Sequence, residues 1–286
     1  MPEFVRIHEV GPRDGLQNEP GVISVANKVA LIDLLGRSGL RDIEVGSFVR
    51  PKWVPQMADT DRVLVDLTPV AGVRYAVLVP NMRGWEAFMA ARVPGVTYEV
   101  AVFISASEGF SQSNLNCSIS DSGARLTPVV RAAQAAGIGL RGYISCVTDC
   151  PFDGPTAPAA VADAAAMLRD VAPMPLSLGD TIGKGTPDRV SGMIEAVADV
   201  VPVDALAGHF HDTGGQALAN IAASLDIGLR AFDSAVGGLG GCPYAPGAPG
   251  NVATEAVVDL LHARGFETGI DADVIARAAN MARGLR

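Results

Sequence analysis

What most constrains this chain is an alternation. Short runs rich in β-prone residues recur eight times, at 4–10, 42–48, 75–80, 98–105, 140–145, 175–178, 205–211 and 231–236, with helix-periodic segments between them. In the first such segment, 25–36, Val25, Val29, Ile32 and Leu35 fall on one helical face, behind a Ser24 cap and ahead of a Gly39 stop. Consecutive parallel strands need crossovers of about a dozen residues or more, usually helices, so such units build a parallel sheet clothed in helices. An open doubly wound sheet uses the same units. No long polar linker divides the chain, and its polar groups collect at one end of the strands, so the expected fold is α/β, a single (β/α)8 TIM barrel spanning 1–286 as one domain. Beyond residue 252, an amphipathic segment at 253–263 is followed by another at 272–283. The last is an additional C-terminal helix, in an extension from about 270 to 286, expected to pack outside the barrel.

Composition narrows the partners. With 286 residues, 49% hydrophobic and 19% charged, the chain can bury a large core. Its 22 Lys and Arg against 31 Asp and Glu leave a net charge of −9, which repels polyanions and argues against nucleic acid, though not against a locally basic pocket for a phosphorylated cofactor. The four cysteines, Cys117, Cys146, Cys150 and Cys242, form no C-x-x-C pair and read as reduced thiols. There is no basic-then-apolar leader and no apolar run of bilayer length, so a cytoplasmic protein without a membrane partner is expected. A homo-oligomer, guessed to be a dimer, is expected without any one segment announcing its interface.

In such a barrel, chemistry sits at the rim formed by the C-terminal ends of the strands. Arg13, Asp14, Glu44, Ser105, Cys146, Asp180, His209, His211 and the stretch from Cys242 to Asn251 all fall at or just beyond those ends. In Gly208-His209-Phe210-His211-Asp212, histidines two apart on a strand project from one face, close enough to share a cation, while Phe210 turns to the helix layer. The plainer reading is one core and one rim histidine, each satisfied by a hydrogen bond. Asp14 after the first strand offers a carboxylate and Asn251 after the eighth an amide, and barrel closure makes the first, eighth and seventh strands neighbours. Asp14, His209, His211 and Asn251 are thus candidate metal ligands. Oxygen and imidazole donors without a thiolate suit magnesium or manganese better than structural zinc.

Gly11-Pro12-Arg13-Asp14-Gly15-Leu16-Gln17 sets a permanent cation beside that carboxylate. Arg13 is suited to stabilising charge on a substrate oxygen; a surface Arg–Asp pair of little consequence is the plainer reading. The Gly/Pro-rich loop 237–251 can hinge over the mouth and bring Cys242 in to move a proton, or cradle a phosphate with Cys242 incidental. Asp180 reads as a group orienting a water or a histidine, or as a helix cap. Glu44 reads as a partner of Arg13 or as a buried acid. Cys117, Cys146 and Cys150 read as packed thiols.

Several strings together carry a resemblance: 10–19 (Val10-Gly11-Pro12-Arg13-Asp14-Gly15-Leu16-Gln17-Asn18-Glu19), Ser47-Phe48 with 51–56, Ser177-Leu178-Gly179-Asp180-Thr181-Ile182-Gly183, His209-Phe210-His211-Asp212 and Gly238-Leu239-Gly240-Gly241-Cys242-Pro243-Tyr244. Over nearly its whole length the chain resembles the 3-hydroxy-3-methylglutaryl-CoA lyase family. The resemblance implies a carbon–carbon lyase that performs a metal-dependent retro-Claisen cleavage giving acetyl-CoA and acetoacetate, as in leucine and ketone-body catabolism. It implies a magnesium or manganese ion, an acyl-CoA thioester as substrate and no tightly bound organic cofactor. Residue by residue, it implies metal ligation by Asp14, His209, His211 and Asn251. It further implies catalytic roles for Arg13, Cys242, His209, Glu44 and Asp180, and substrate contacts from Arg13, Gln17 and Ser177. Two departures stand out: Gly214-Gly215 where the family commonly has a tyrosine before the second glycine, and Pro20 where some members have a lysine. Both bear on the acyl or pantetheine side, so a longer branched 3-hydroxyglutaryl-CoA stays open as the substrate. An acyl-CoA condensing synthase would use the same metal site in the opposite direction, and a scaffold could keep the fold and the metal without turnover.

Overall fold

The computed structural model describes residues 2–242 and 245–286, and for 242 and 245–249 the backbone alone. Eight strands, β1 (Arg6–Glu9), β2 (Asp42–Ser47), β3 (Arg74–Leu78), β4 (Tyr98–Ser105), β5 (Gly139–Ser145), β6 (Leu176–Asp180), β7 (Leu206–Phe210) and β8 (Ala231–Ser234), follow one another around a closed barrel. Each pairs in parallel with its neighbours, and β8 returns to β1 through Arg6↔Ala231 and His8↔Asp233. This is the expected TIM barrel. Alternation splits each strand between two environments: Ile7, Ile43, Val102, Ile144, Leu178 and Phe210 join one apolar core with helix residues such as Leu31, Leu35 and Leu168. The inward positions are strongly polar, since His8, Glu44, Glu99, Arg141, His209 and Asp233 are all buried. Groups of that kind are tolerated inside only when paired, which commits the barrel interior to an organised network.

Several helices begin at side-chain caps. Ser24 accepts from the Asn27 amide at the head of helix Val25–Gly36, and Asn81, Ser107 and Ser118 cap later helices in the same way. The final helix, Ala272–Arg283, buries Val274, Ile275, Ala278, Ala279 and Ala282, and packs outside the barrel on helix Val25–Gly36 and on the turn Val236–Gly238. Gly39 permits this closure: its φ is 91°, and a Cβ there would lie 2.1 Å from the Gly269 carbonyl oxygen.

Most strand ends differ from expectation by a residue or two, and three of the shifts have a visible cause. Phe4 stands outside β1 and bridges instead to Glu267. β6 runs on to Asp180 because Gly179 and Asp180 pair with His209 and Phe210. β8 ends at Ser234, since the chain turns through Gly237 at φ 68°. Within the Gly/Pro-rich loop, Gly241–Cys242 pairs antiparallel with Ala245–Pro249. Among the described residues no helix is long and apolar enough to cross a membrane.

Candidate active site

Asp14 sits on a single wide turn, Gly11–Gly15, that leaves β1 with the amides of Arg13, Asp14 and Gly15 all donating to the Val10 carbonyl at 3.1, 2.8 and 3.2 Å. Its glycines are sterically required: a Cβ on Gly11 would lie 2.5 Å from Glu9 Oε1, and one on Gly15 2.6 Å from Leu239 Cβ. Glu9 fastens the turn to the far side of the seam, accepting from the Gly11 amide (2.7 Å), the Val236 amide (2.9 Å) and Thr254 Oγ1 (2.6 Å). Burial pushes the Glu9 carboxyl up to about 7, outweighing those three donors.

Beyond β8, which separates β1 from β7, the turn faces the end of β7. His209 and His211 project from one face, their ring centroids 5.3 Å apart, and Phe210 is buried in the outer core. One ligating atom from each of Asp14, His209 and His211 lies within 4.8 Å of the others. Asn251 bridges to the His211 backbone, and its Nδ2 donates to Asp14 Oδ2 at 2.9 Å and to the Leu239 carbonyl at 3.3 Å. Gly240, at φ 98°, lets the loop press in, because a Cβ there would stand 2.9 Å from Asn251 Nδ2. The four side chains expected to share a cation are thus brought together.

Their protonation suits a hard divalent ion. Burial works against ionisation of Asp14, but the charges of Arg13 and the two histidines hold it down to about 2. Burial and the neighbouring His209 hold His211 down to about 4, a neutral imidazole, and its Nδ1 is buried without a hydrogen-bond partner. Burial lowers His209, yet its hydrogen bond to Asp233 and the charges of Asp233 and Asp14 raise it overall. One carboxylate, an amide and two imidazoles, with no thiolate in the described cluster, fit a cation that keeps open positions.

Arg13 spans two acids. Its Nη1 lies 2.7 Å from Asp14 Oδ1 and its Nη2 2.7 Å from Glu44 Oε2, while the guanidinium carbon stands 5.6 Å from the Tyr143 ring centroid. Tyr143 Oη donates to Glu44 Oε2 at 3.1 Å. Glu44 is therefore both the partner of Arg13 and a fully buried acid, and burial raises its pKa against the pull of Arg13. Gln17 Nε2 donates to Asp14 Oδ1 at 3.0 Å and lines the mouth.

Two side chains expected at the mouth lie elsewhere. Ser177 is fully buried beneath it, where its hydroxyl donates to Asp233 Oδ2 at 2.6 Å, because its place on β6 is one layer below the rim. Asp180, also buried, accepts from Thr148 Oγ1 and from the Gly185 amide at 2.8 Å; it secures the turn after β6, and the cavity wall passes through its neighbours Gly179 and Thr181. Cys146 and Cys150 are packed thiols, with burial pushing Cys146 up to about 12, and Cys117 is buried too. The side chain of Cys242 lies outside the described residues.

Three residues of the network are missed by sequence reasoning: Asp233, Arg141 and Tyr143. Asp233 Oδ2 lies 3.1 Å from His209 Nδ1, and its other oxygen pairs with Arg141, whose guanidinium carbon is 5.2 Å from the Tyr143 ring. A signal for two of them exists: Asp233 between Phe232 and Ser234, and Arg141 between Leu140 and Gly142, put charges mid-strand at inward positions. A cavity of about 1090 Å³ opens above, with Asp14, His209, His211 and Asn251 on one side and Val49, Leu78 and Phe103 among its other walls.

The HMGL-like family model matches residues 4–282. Hydroxymethylglutaryl-CoA lyase from Pseudomonas mevalonii is 55% identical over 275 residues, 96% of this chain and 90% of that protein. A Pseudomonas aeruginosa protein named 3-hydroxy-3-isohexenylglutaryl-CoA/hydroxy-methylglutaryl-CoA lyase is 55% identical over 271 residues, 95% and 89% of the two chains. The crystal structure of the HMG-CoA lyase from Brucella melitensis superposes with a TM-score of 0.96 at 54% identity, covering 99% of each chain.

Proposed function

The chain belongs to the HMGL-like family, and from that premise we infer that it cleaves 3-hydroxy-3-methylglutaryl-CoA to acetyl-CoA and acetoacetate. The observation that carries this reading is the convergence of Asp14, His209 and His211 within 4.8 Å, beside a guanidinium held at 2.7 Å from Asp14. In our reading Asp14, His209, His211 and Asn251 hold one divalent cation, and the donor set favours magnesium or manganese. Such a cation would polarise the substrate's tertiary hydroxyl and make it easier to deprotonate.

The chain's own groups account for the rest. Once the hydroxyl proton has left, the electron pair on that oxygen forms the ketone of acetoacetate, and the bond to the neighbouring methylene carbon breaks. The electrons of that bond become the thioester enolate. Arg13 is positioned to stabilise the enolate oxygen, and its second nitrogen is anchored by Glu44 and, through Glu44, by Tyr143. Protonation of the enolate carbon yields acetyl-CoA. We assign the proton movements to Cys242 or His209, Cys242 on the strength of its sequence motif. Gln17 and Asn251 hold the two Asp14 oxygens in place.

A second substrate is favoured by one feature. Leu78, Ala101 and Tyr143, with Val49 and Phe103 packed on them, form an apolar cluster apart from the main core, and four of these five line the cavity on the β3–β5 side and its flanking loop. A substrate held by its hydroxyl at the β7–β8 seam faces that wall, which suits a longer third-carbon substituent. The test is a set of 3-hydroxyglutaryl thioesters differing only at that carbon, incubated with purified protein, magnesium and reduced thiols. Acetoacetate from the methyl compound is expected; none from it, and no acetyl-CoA from any member, overturns the reading.

A further inference from the structure

Below the cation site, behind His209, lies a buried assembly whose other members the cleavage steps themselves do not call on. Asp233, on β8, is 2% exposed and is held from three sides. Its Oδ1 pairs with the Arg141 guanidinium from β5, and its Oδ2 accepts from Ser177 Oγ of β6 at 2.6 Å and faces His209 Nδ1 of β7 at 3.1 Å. Four strands thus contribute one side chain each to a single hydrogen-bonded unit across the barrel interior.

The donor and acceptor inventory decides the state of the imidazole. Both Asp233 oxygens accept, Arg141 can only donate, and Ser177 spends its proton on Oδ2. In neutral His209 the proton therefore resides on Nδ1, donated to Asp233. The lone pair is left on Nε2, the nitrogen that lies 3.9 Å from Asp14 Oδ2 at the candidate cation site. We propose that Asp233, clamped by Arg141 and Ser177, is a positioning residue that fixes the tautomer and ring orientation of His209 and so presets Nε2 as a cation ligand. The proposal rests on the cation-site reading above. Carboxylates that orient a ligating histidine in this manner carry a large share of a site's affinity.

The replacement Asp233→Asn makes the idea testable. An asparagine has one acceptor and one donor end, and the obligatory donor Arg141 turns the acceptor end toward itself. The amide nitrogen then faces His209 Nδ1, which must accept, and the proton moves to Nε2, where it blocks ligation.

Two measurements test it. Nitrogen-15 NMR of the histidines in metal-free wild-type protein, in alkaline buffer, is expected to show His209 protonated on Nδ1, and in the D233N variant on Nε2. Manganese titration followed by electron paramagnetic resonance is expected to show a dissociation constant raised roughly 10–100-fold in D233N. Partial recovery is expected in D233N/R141Q, where a glutamine can accept from the asparagine and lets the amide flip. A role confined to stability would lower the melting temperature of D233N while leaving the tautomer and the manganese affinity unchanged, and that result overturns the proposal. Should D233N fail to fold, the wild-type spectrum decides alone: an Nε2 proton on His209 refutes the assignment. Absence of manganese binding by wild-type protein would strike the cation-site reading instead, with the tautomer still measured independently.

Discussion

Removing the Arg13 charge tests both its structural and its chemical work. Arg13 Nη2 and Glu44 Oε2 are 2.7 Å apart with the Glu44 side chain fully buried, so Arg13→Gln leaves an acid in the barrel that keeps the Tyr143 hydroxyl as a donor but loses its cation. Breaking one partner out of a buried ion pair costs about 3–5 kcal/mol. Glu44 escapes part of that cost by taking up a proton, and burial already raises its pKa. The deficit is therefore smallest in acid, where Glu44 is protonated in folded and unfolded chains alike, and grows as pH rises. The double variant R13Q/E44Q removes the stranded charge, so most of the stability should return. Turnover should not return, because loss of one oxyanion-stabilising donor costs roughly a hundred- to a thousandfold in kcat. Urea unfolding of R13Q, E44Q and the double variant at two pH values, alongside acetoacetate production, completes the cycle. A double variant as unstable as R13Q, or one that regains turnover, would refute this reasoning.

Glu9 supplies a second prediction. Its folded pKa of about 7 lies above the ordinary 4.5, so its contribution to stability is present in acid and is lost as pH rises between those values, by about 3 kcal/mol in all. Glu9→Gln keeps an acceptor for the Gly11 and Val236 amides while removing the charge, so urea unfolding should show it gaining on wild type by about that amount between pH 5 and pH 8. A difference that does not change with pH contradicts the assignment. Phe103→Ala should enlarge the apolar wall and shift the kcat/KM ratio toward the longer third-carbon substituent by roughly tenfold or more, the worth of a methylene or two in a pocket. An unchanged ratio would place that substituent elsewhere.

The fold is legible because its signal is local. Strand runs of β-prone residues, helix-periodic stretches and caps such as Ser24 each speak within a dozen residues, and eight repeats leave little but closure to decide. The rim is legible for a related reason: His209 and His211 share a face by strand geometry, and Arg13 and Asp14 are adjacent. What stays hidden depends on which inward layer a residue occupies. Ser177 and Asp180 belong to a string that reads as one motif, yet strand alternation buries Ser177 under Asp233, while Asp180 turns to Thr148 and Gly185. The partnership of Asp233 with Arg141 joins strands 92 residues apart, and nothing in either local sequence declares it.

The central claim is that Asp14, His209 and His211 grip a single divalent cation beside Arg13. Manganese titration of purified protein, monitored by electron paramagnetic resonance, tests it without recourse to turnover. One ion per chain is predicted for wild type and for R13Q, with binding abolished in H211A and strongly weakened in D14A. Equal manganese affinity in wild type, D14A and H211A would contradict the account.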